Sequence, residues 1–197
     1  MKKVAILGGA FNCVGKHHID IANHVLNYVD EIWLTPCFLS MTGKILEDAQ
    51  HRLNMCEIAI KNNNRKEIIL CDFEIKNKLH DESCNIIEKF LQEYSNPNTK
   101  FYFLIGIDNA LSINTWENWE QLIEMISFIV VPRKGYKDDP NITWFRKSPH
   151  IFIEDMIPSD SSSTEIRNDL KKLGTCSKID PDVLKYIKNN GLYCTKN

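Results

Sequence analysis

Short apolar runs alternate with amphipathic segments along most of the chain. Runs of about five apolar residues that end at glycine or polar residues are typical of buried strands, and apolar positions three or four apart are typical of helices. The pattern predicts strands at 3–7, 31–35, 67–71, 100–106, 127–132 and 150–153. It predicts helices over about 19–29, 48–62, 83–94 and 119–124.

Two more helices are predicted near the C-terminus. Ser162 with Glu165 three residues later has the spacing of a capping box, and Asp180 followed by Pro181 is typical of a helix start. Strands that alternate with helices favour a parallel sheet, because each crossover must return the chain to the same edge. We therefore expect an α/β fold with a Rossmann-like parallel sheet, helices on both faces, and one domain over 1–197 whose part 155–197 is helical.

Composition narrows the class of partner. The 197 residues are 43% hydrophobic and 25% charged, with a formal net charge of −2. No basic excess favours nucleic acid, and no apolar run approaches the roughly 18 residues that span a membrane. We expect neither a nucleic-acid nor a membrane partner, whereas a local cluster of cations for a phosphorylated small molecule is compatible with this charge.

Cysteine usage indicates a reducing compartment. The seven cysteines are odd in number, form no CxxC pair, and have no histidine at metal-ligand spacing. We interpret them as reduced, mostly buried thiols in a cytoplasmic protein, and expect no protein-bound metal.

Two segments are candidates for phosphate binding at the N-terminal end. Gly8 and Gly9 follow the first strand, where glycine lets backbone amides approach a phosphate. Lys16, His17 and His18 stand where the first helix begins, and a helix N-terminus favours anions. The residues alone fit equally well a simple turn and a solvated loop with surface histidines.

A third candidate lies near the C-terminus. Ser162, Ser163 and Thr164 open a helix and Arg167 lies one turn inside it, so hydroxyls, amides and a planar guanidinium stand together. Lys44 and Arg52, before and within the second helix, are further candidate phosphate contacts. An ordinary capping box with surface cations is the alternative.

The middle of the chain offers a possible base and ribose site. Asp108 comes directly after the strand at 100–106, and Trp116 follows shortly. The aspartate can accept from a ribose hydroxyl or an amide while the tryptophan stacks on a base; equally, the two can be a helix cap and a core residue.

Taken together, these motifs resemble the nucleotidyltransferase superfamily, specifically the nicotinate/nicotinamide mononucleotide adenylyltransferases. The resemblance extends along the whole chain. It is carried by GGAF (8–11), HRLNMCEIAI (51–60), GID (106–108), VVPRKGY (130–136), SSTEIR (162–167) and VLKYIKNNGLY (183–193).

The resemblance implies transfer of AMP from ATP to a pyridine mononucleotide, with magnesium accompanying ATP, no covalent enzyme intermediate, and often a homo-oligomer. Charge stabilisation would then fall to His18, Lys44 and Arg167. The ATP site would include Gly8, Gly9, Ala10, Phe11, Lys16, His17, Ser162, Ser163 and Thr164. The mononucleotide site would include Asn85, Asp108 and Trp116.

Three positions depart from the family pattern. The usual HxGH motif reads Gly15-Lys16-His17-His18, so only His18 matches. Asn12 replaces a common aspartate, and Cys84-Asn85 stands where many bacterial nicotinate enzymes have Tyr-Thr. Our hypothesis is that Lys16 or His17 supplies the missing positive charge.

Two other functions are compatible with these residues. The first is another adenylyl- or cytidylyltransferase, for example one acting on phosphopantetheine, which would need no stacking tryptophan. The second is a nucleotide-binding protein without catalysis, which the altered HxGH motif favours.

Overall fold

Six parallel strands form the central sheet, in the order β3-β2-β1-β4-β5-β6. The computed structural model describes residues 1–41, 43–137, 139–159 and 161–193. The strands are β1 (Lys2–Gly9), β2 (Glu31–Pro36), β3 (Ile68–Leu70), β4 (Thr99–Gly106), β5 (Ser127–Val131) and β6 (Ile151–Phe152). The predicted Rossmann-like α/β fold is confirmed.

Helices fill the connections between strands. They are α1 (Lys16–Val25), α2 (Ala49–Asn63), α3 (Phe73–Lys76), α4 (Ser83–Tyr94), α5 (Ile107–Leu111), α6 (Trp119–Met125), α7 (Ser163–Leu173) and α8 (Pro181–Asn189). The sequence pattern missed α3 and α5, because four or five residues are too short to show a helical period. The predicted caps of α7 and α8 are both present.

Both faces of the sheet are covered. Along β1, Ala5 and Leu7 face one core, whereas Val4 and Ile6 face the other, as the two-residue period of a strand requires. The first core includes buried residues of α1, α2, α7 and α8, and the second includes those of α3, α4, α5 and α6. The strands are therefore apolar on both sides, which explains why their sequences are nearly continuous apolar runs.

The strand order places a crevice at one edge of the sheet. β1 lies in the middle, with β2 on one side and β4 on the other, so the chain leaves these central strands in opposite directions. In open parallel sheets, ligands bind outside the carboxyl ends of the strands at such a switch of direction.

The guanidinium of Arg52 joins the ends of β1 and β2. This side chain on α2 is 1% exposed and donates four hydrogen bonds to backbone carbonyls. The acceptors are Ala10, Cys37, Phe38 and Glu47, at N–O distances of 2.9, 2.7, 2.9 and 3.0 Å. Arg52 thus fixes the two loops that follow the central strands. Its interpretation as a phosphate contact is wrong, because its donors are used by the backbone.

We expect Arg52→Lys to destabilise the protein by about 2–4 kcal/mol, since one ammonium cannot reach four carbonyls spread over two loops and would leave buried acceptors unpaired. Urea unfolding measures the change. The matched control is Arg65→Lys, at an exposed position just beyond α2. Equal stability of the two variants would contradict the role given to Arg52.

Candidate active site

A cleft of about 820 Å³ opens at the carboxyl edge of the sheet. Its lining includes the ends of β1, β4 and β5, much of the loop between β2 and α2, and the start of α7. Two phosphate-binding candidates, GGAF and SSTEIR, lie far apart in sequence but line this one cleft.

The turn after β1 places an aromatic ring under the cleft. Phe11 has a left-handed backbone (φ 44°), is buried, and lies 4.9 Å from the ring of His18. A Cβ on Gly9 would lie 3.4 Å from the Phe11 ring, so the turn is packed closely against this side chain. The glycine at position 9 keeps the backbone of the turn accessible.

Asn12 connects this turn to two distant segments. Its side-chain oxygen accepts from the hydroxyl of Tyr193 at 2.7 Å and from the backbone N–H of Glu47 at 3.2 Å. Its amide nitrogen donates to the carbonyl of Ile45 at 3.3 Å. The residue that replaces the family's aspartate therefore holds the β2–α2 loop and the end of the chain together.

His17 and His18 lie side by side at the start of α1, with ring centroids 3.8 Å apart. His18 Nδ1 accepts from the backbone N–H of Gly15 at 3.0 Å, which leaves Nε2–H as its donor. Burial lowers the pKa of His18 to about 3, and burial together with the charge of Arg133 lowers that of His17 to about 4. These lowered pKa values make both rings neutral at pH 7.

The start of α7 is attached to the turn after β1. Ser163 Oγ donates to the carbonyl of Cys13 at 3.0 Å, and a guanidinium nitrogen of Arg167 donates to the carbonyl of Asn12. Ser162 completes the predicted capping box with Glu165. These contacts aim the N-terminal end of α7, with its unpaired amides and partial positive charge, at the cleft.

The opposite wall of the cleft comes from β4 and β5. Trp116 is half-buried, lines the cleft, and packs edge-on against Phe103 at 6.4 Å. Asp108 lies behind this wall and forms an ion pair with Arg133, which follows β5 and lines the cleft. The other carboxylate oxygen of Asp108 is buried and has no hydrogen-bond partner.

The structure brings most of the predicted site residues into the lining, with three exceptions. Lys16 donates its ammonium to the carbonyl of Ser177 at 2.9 Å, outside the cleft. Asn85 donates to Asp81 within the start of α4, and Asp108 borders the cleft only through Arg133. Those that line it are Gly8, Gly9, Ala10, Phe11, His17, His18, Lys44, Trp116, Ser162, Ser163, Thr164 and Arg167.

Comparisons with known proteins identify the family of this chain. The cytidylyltransferase-like family model matches residues 6–169. The chain belongs to the cytidylyltransferase-like family. The probable nicotinate-nucleotide adenylyltransferase of Bacillus cytotoxicus is 30% identical, over 98% of this chain and 99% of the relative. Resemblance to the nicotinate-nucleotide adenylyltransferases is thereby confirmed.

Solved structures show the same relationship. The Plasmodium falciparum nicotinic acid mononucleotide adenylyltransferase complexed with NaAD is 29% identical and superposes with a TM-score of 0.82, covering 98% of each chain. The same enzyme complexed with APC gives a TM-score of 0.78 at 29% identity and the same coverage. The chain is therefore a nucleotidyltransferase.

Donor groups dominate the phosphate side of this nucleotidyltransferase site. Amides of α7, two imidazoles and the guanidinium of Arg167 are groups that bind phosphate oxygens.

Within the described residues, no group of three or more His, Cys, Asp or Glu side chains is arranged to hold a metal ion. No helix in the same ranges is long and apolar enough to cross a membrane. The cysteines other than Cys194, which lies outside the described residues, are free thiols.

Sequence reasoning missed Glu74, Arg133 and the pairing of Asn12 with Tyr193. Arg133 had a usable signal, since it follows β5 at the carboxyl edge of the sheet. Glu74 and Tyr193 had none, because nothing local shows that a carboxylate or a phenol points into the protein.

Glu74 is a buried carboxylate in the cleft wall. It lies at the start of α3, is 8% exposed, and lines the cleft. Burial raises its pKa to about 7, although the positive charge of Arg52 opposes the shift. The folded protein therefore holds a proton on Glu74 to a higher pH than the unfolded chain does, and this group costs stability as pH rises from about 4.5 to 7.

We expect Glu74→Gln to increase stability relative to wild type as pH rises, with the advantage at pH 8 exceeding that at pH 5 by about 3 kcal/mol. Urea unfolding of both proteins at the two pH values measures this difference. Glu57→Gln, on the exposed face of α2, is the control that makes the same substitution outside the core. A pH-independent effect of Glu74→Gln would contradict the burial argument.

Proposed function

We propose that this nucleotidyltransferase transfers the AMP part of ATP to nicotinate mononucleotide, giving NaAD and pyrophosphate. The observation that carries the proposal is that the side chains of His17 and His18 and the N-terminal end of α7 line the same cleft as Trp116. A polyphosphate fits the first feature, and the flat ring of a base fits the second. The names of the relatives, and the NaAD complex of one of them, support nicotinate mononucleotide as the acceptor.

The proposed reaction is a direct displacement. An oxygen of the mononucleotide's 5′-phosphate attacks the α-phosphorus of ATP, and the bond from that phosphorus to the α–β bridging oxygen breaks. Pyrophosphate leaves with the electron pair. Because both reactants are anionic, the protein must align them and offset negative charge, and no side chain has to act as a nucleophile.

We assign the phosphate chain to His18, Lys44 and Arg167. His18 presents Nε2–H beside the turn of Gly8, Gly9, Ala10 and Phe11, where the backbone is open to ATP. Arg167 reaches the cleft from α7, and its present acceptors are the carbonyl of Asn12 and the hydroxyl of Thr164. Lys44 lines the cleft from an exposed loop, so it can close over the triphosphate.

The α7 hydroxyls contribute mainly by shaping the helix start. Ser162 caps the helix, Ser163 bonds Cys13, and Thr164 accepts from Arg167 at 3.2 Å. The backbone amides of Ser163 and Thr164 are therefore the better candidates for phosphate contacts, whereas that of Ser162 donates to Glu165. Magnesium would enter with ATP, since Mg²⁺ in such sites takes most of its ligands from phosphate oxygens and water. It would neutralise part of the charge on the phosphates.

We assign the mononucleotide to the Trp116 side of the cleft. The ring is exposed on the cleft side and packed on Phe103, which suits stacking on a pyridine. Asp108 would act indirectly, by orienting Arg133 towards the ligand's phosphate or ribose. Asn85 and Lys16 receive no contact role, because their side chains bond elsewhere.

We expect pyrophosphate release with ATP, magnesium and nicotinate mononucleotide, and weaker or no release with nicotinamide mononucleotide or phosphopantetheine. Coupled detection of pyrophosphate measures all three acceptors in one format. Pyrophosphate release with phosphopantetheine alone would indicate an adenylyltransferase that acts on phosphopantetheine. If the protein binds ATP but releases no pyrophosphate with any of the three acceptors, it would be a nucleotide-binding protein without catalysis.

We expect Trp116→Leu to raise the KM for the mononucleotide about fivefold and to leave the KM for ATP unchanged, since stacking of aromatic rings is worth about 1 kcal/mol. Steady-state kinetics with each substrate varied separately provide the measurement. Trp119→Leu, at the start of α6 and outside the cleft lining, is the matched control. Equal effects on both KM values would contradict the assignment.

A further inference from the structure

Gly15 and His17 fit together as one unit at the start of α1. A Cβ built on Gly15 would lie 2.7 Å from Nδ1 and 2.8 Å from Cε1 of the His17 ring, and 2.5 Å from Cδ1 of Ile166. Real Cβ atoms do not approach heavy atoms this closely. The imidazole of His17 therefore occupies the space into which a side chain at position 15 would extend.

The His17 ring is also set up to bind a ligand. It is 9% exposed, and its Nδ1 atom is buried without a hydrogen-bond partner. Because Nδ1 is enclosed against Gly15, a neutral His17 ring would offer its other nitrogen, as Nε2–H, to a ligand oxygen. The ring also lines the cleft beside His18.

The structure separates His17 from the neighbouring cation. The ammonium of Lys16 bonds the carbonyl of Ser177 on the outside of the helix start, and Lys16 is exposed. Of the two residues, only His17 points into the cleft. The choice between them, which the sequence leaves open, is therefore made by the side-chain directions on α1.

We propose that Gly15 and His17 are an exchanged pair: the His17 imidazole stands where a side chain at position 15 would stand, and it binds the phosphate chain of ATP from there. The His17 ring has room there because glycine at position 15 has no side chain. In the family motif HxGH, histidine comes first and glycine third; here the two have changed places, and the cleft still receives two imidazoles. This inference rests on the proposed function only in naming ATP as the ligand.

The charges around His17 agree with an anion as its ligand. Those that act on its ring are Arg133 after β5, Glu165 on α7 and Lys178 before α8. Burial is the main cause that lowers the pKa of His17, and the two cations, which the single carboxylate only partly offsets, lower it further. A bound triphosphate would reverse this balance and let the ring donate strongly to a phosphate oxygen.

The test exchanges the two residues. His17→Gly should lower kcat/KM for ATP about 30- to 100-fold, as expected for loss of a donor to a reacting phosphate group. Gly15→His should also be impaired, because two rings would compete for one space. The double variant Gly15→His/His17→Gly should recover at least about tenfold over His17→Gly, since the flexible end of Ile166 can move aside for the new ring.

Controls separate a binding role from a structural one. His24→Gly makes the same substitution at the far end of α1, where the histidine lies near Asp155 on the surface, and should keep full activity. Thermal unfolding of all variants identifies any loss of fold. A structural role predicts equal changes in the KM of both substrates, whereas phosphate binding predicts a change in that of ATP alone.

Direct measurement of ATP binding by calorimetry makes the inference independent of turnover. A tenfold weaker affinity in His17→Gly that the double variant restores supports the exchange, even if wild type forms no dinucleotide and the proposed function fails. Unchanged ATP affinity and activity in His17→Gly overturn it. So does a double variant no better than either single one, or a loss of affinity in Lys16→Ala without one in His17→Gly.

Discussion

The buried guanidinium of Arg52 is the interaction on which the rest of the site depends. Two parallel strands end side by side, and the loops that follow them expose carbonyls that no strand partner can satisfy. One planar group with several donors meets four of these acceptors at once and excludes water from the junction. These four hydrogen bonds hold the loops after β1 and β2, which form part of the cleft lining, in place. The positive charge also keeps Glu74 from an even higher pKa.

The cleft is closed by contacts between residues that are far apart in sequence. Arg167 and Ser163 bond the carbonyls of Asn12 and Cys13, about 150 residues earlier. Tyr193 bonds Asn12 from the end of the chain. The last fifth of the chain therefore belongs to the active site as much as the first strand does. A nucleotidyltransferase built this way needs its C-terminal helices to place the end of α7 to which we assign phosphate binding.

Electrostatically, the cleft is lined on the α7 side mainly by hydrogen-bond donors. Burial keeps both histidines neutral, while Arg167 uses a carbonyl that a phosphate oxygen can replace. An incoming triphosphate changes the balance, because an anion beside a buried imidazole favours its protonated form. Binding energy is thus available where negative charge accumulates during transfer of AMP. Such prearranged donors cost no reorganisation when the bond breaks.

The sequence by itself determined the strands, the long helices, the parallel sheet and the family, since apolar periods and short motifs are local properties. It also located most of the cleft lining, because strand ends and helix starts are readable and always meet at the carboxyl edge of a parallel sheet. Side-chain direction was not readable. Arg52 is buried beneath the cleft and Lys16 lies outside it, since the acceptors of both side chains include carbonyls of segments remote in sequence. Asn85 bonds Asp81, four residues earlier, a choice of partner that the sequence pattern does not show. Only the tertiary structure showed that Glu74 is buried and that His17 fills the space beside Gly15, because burial and close approach are properties of the packed chain.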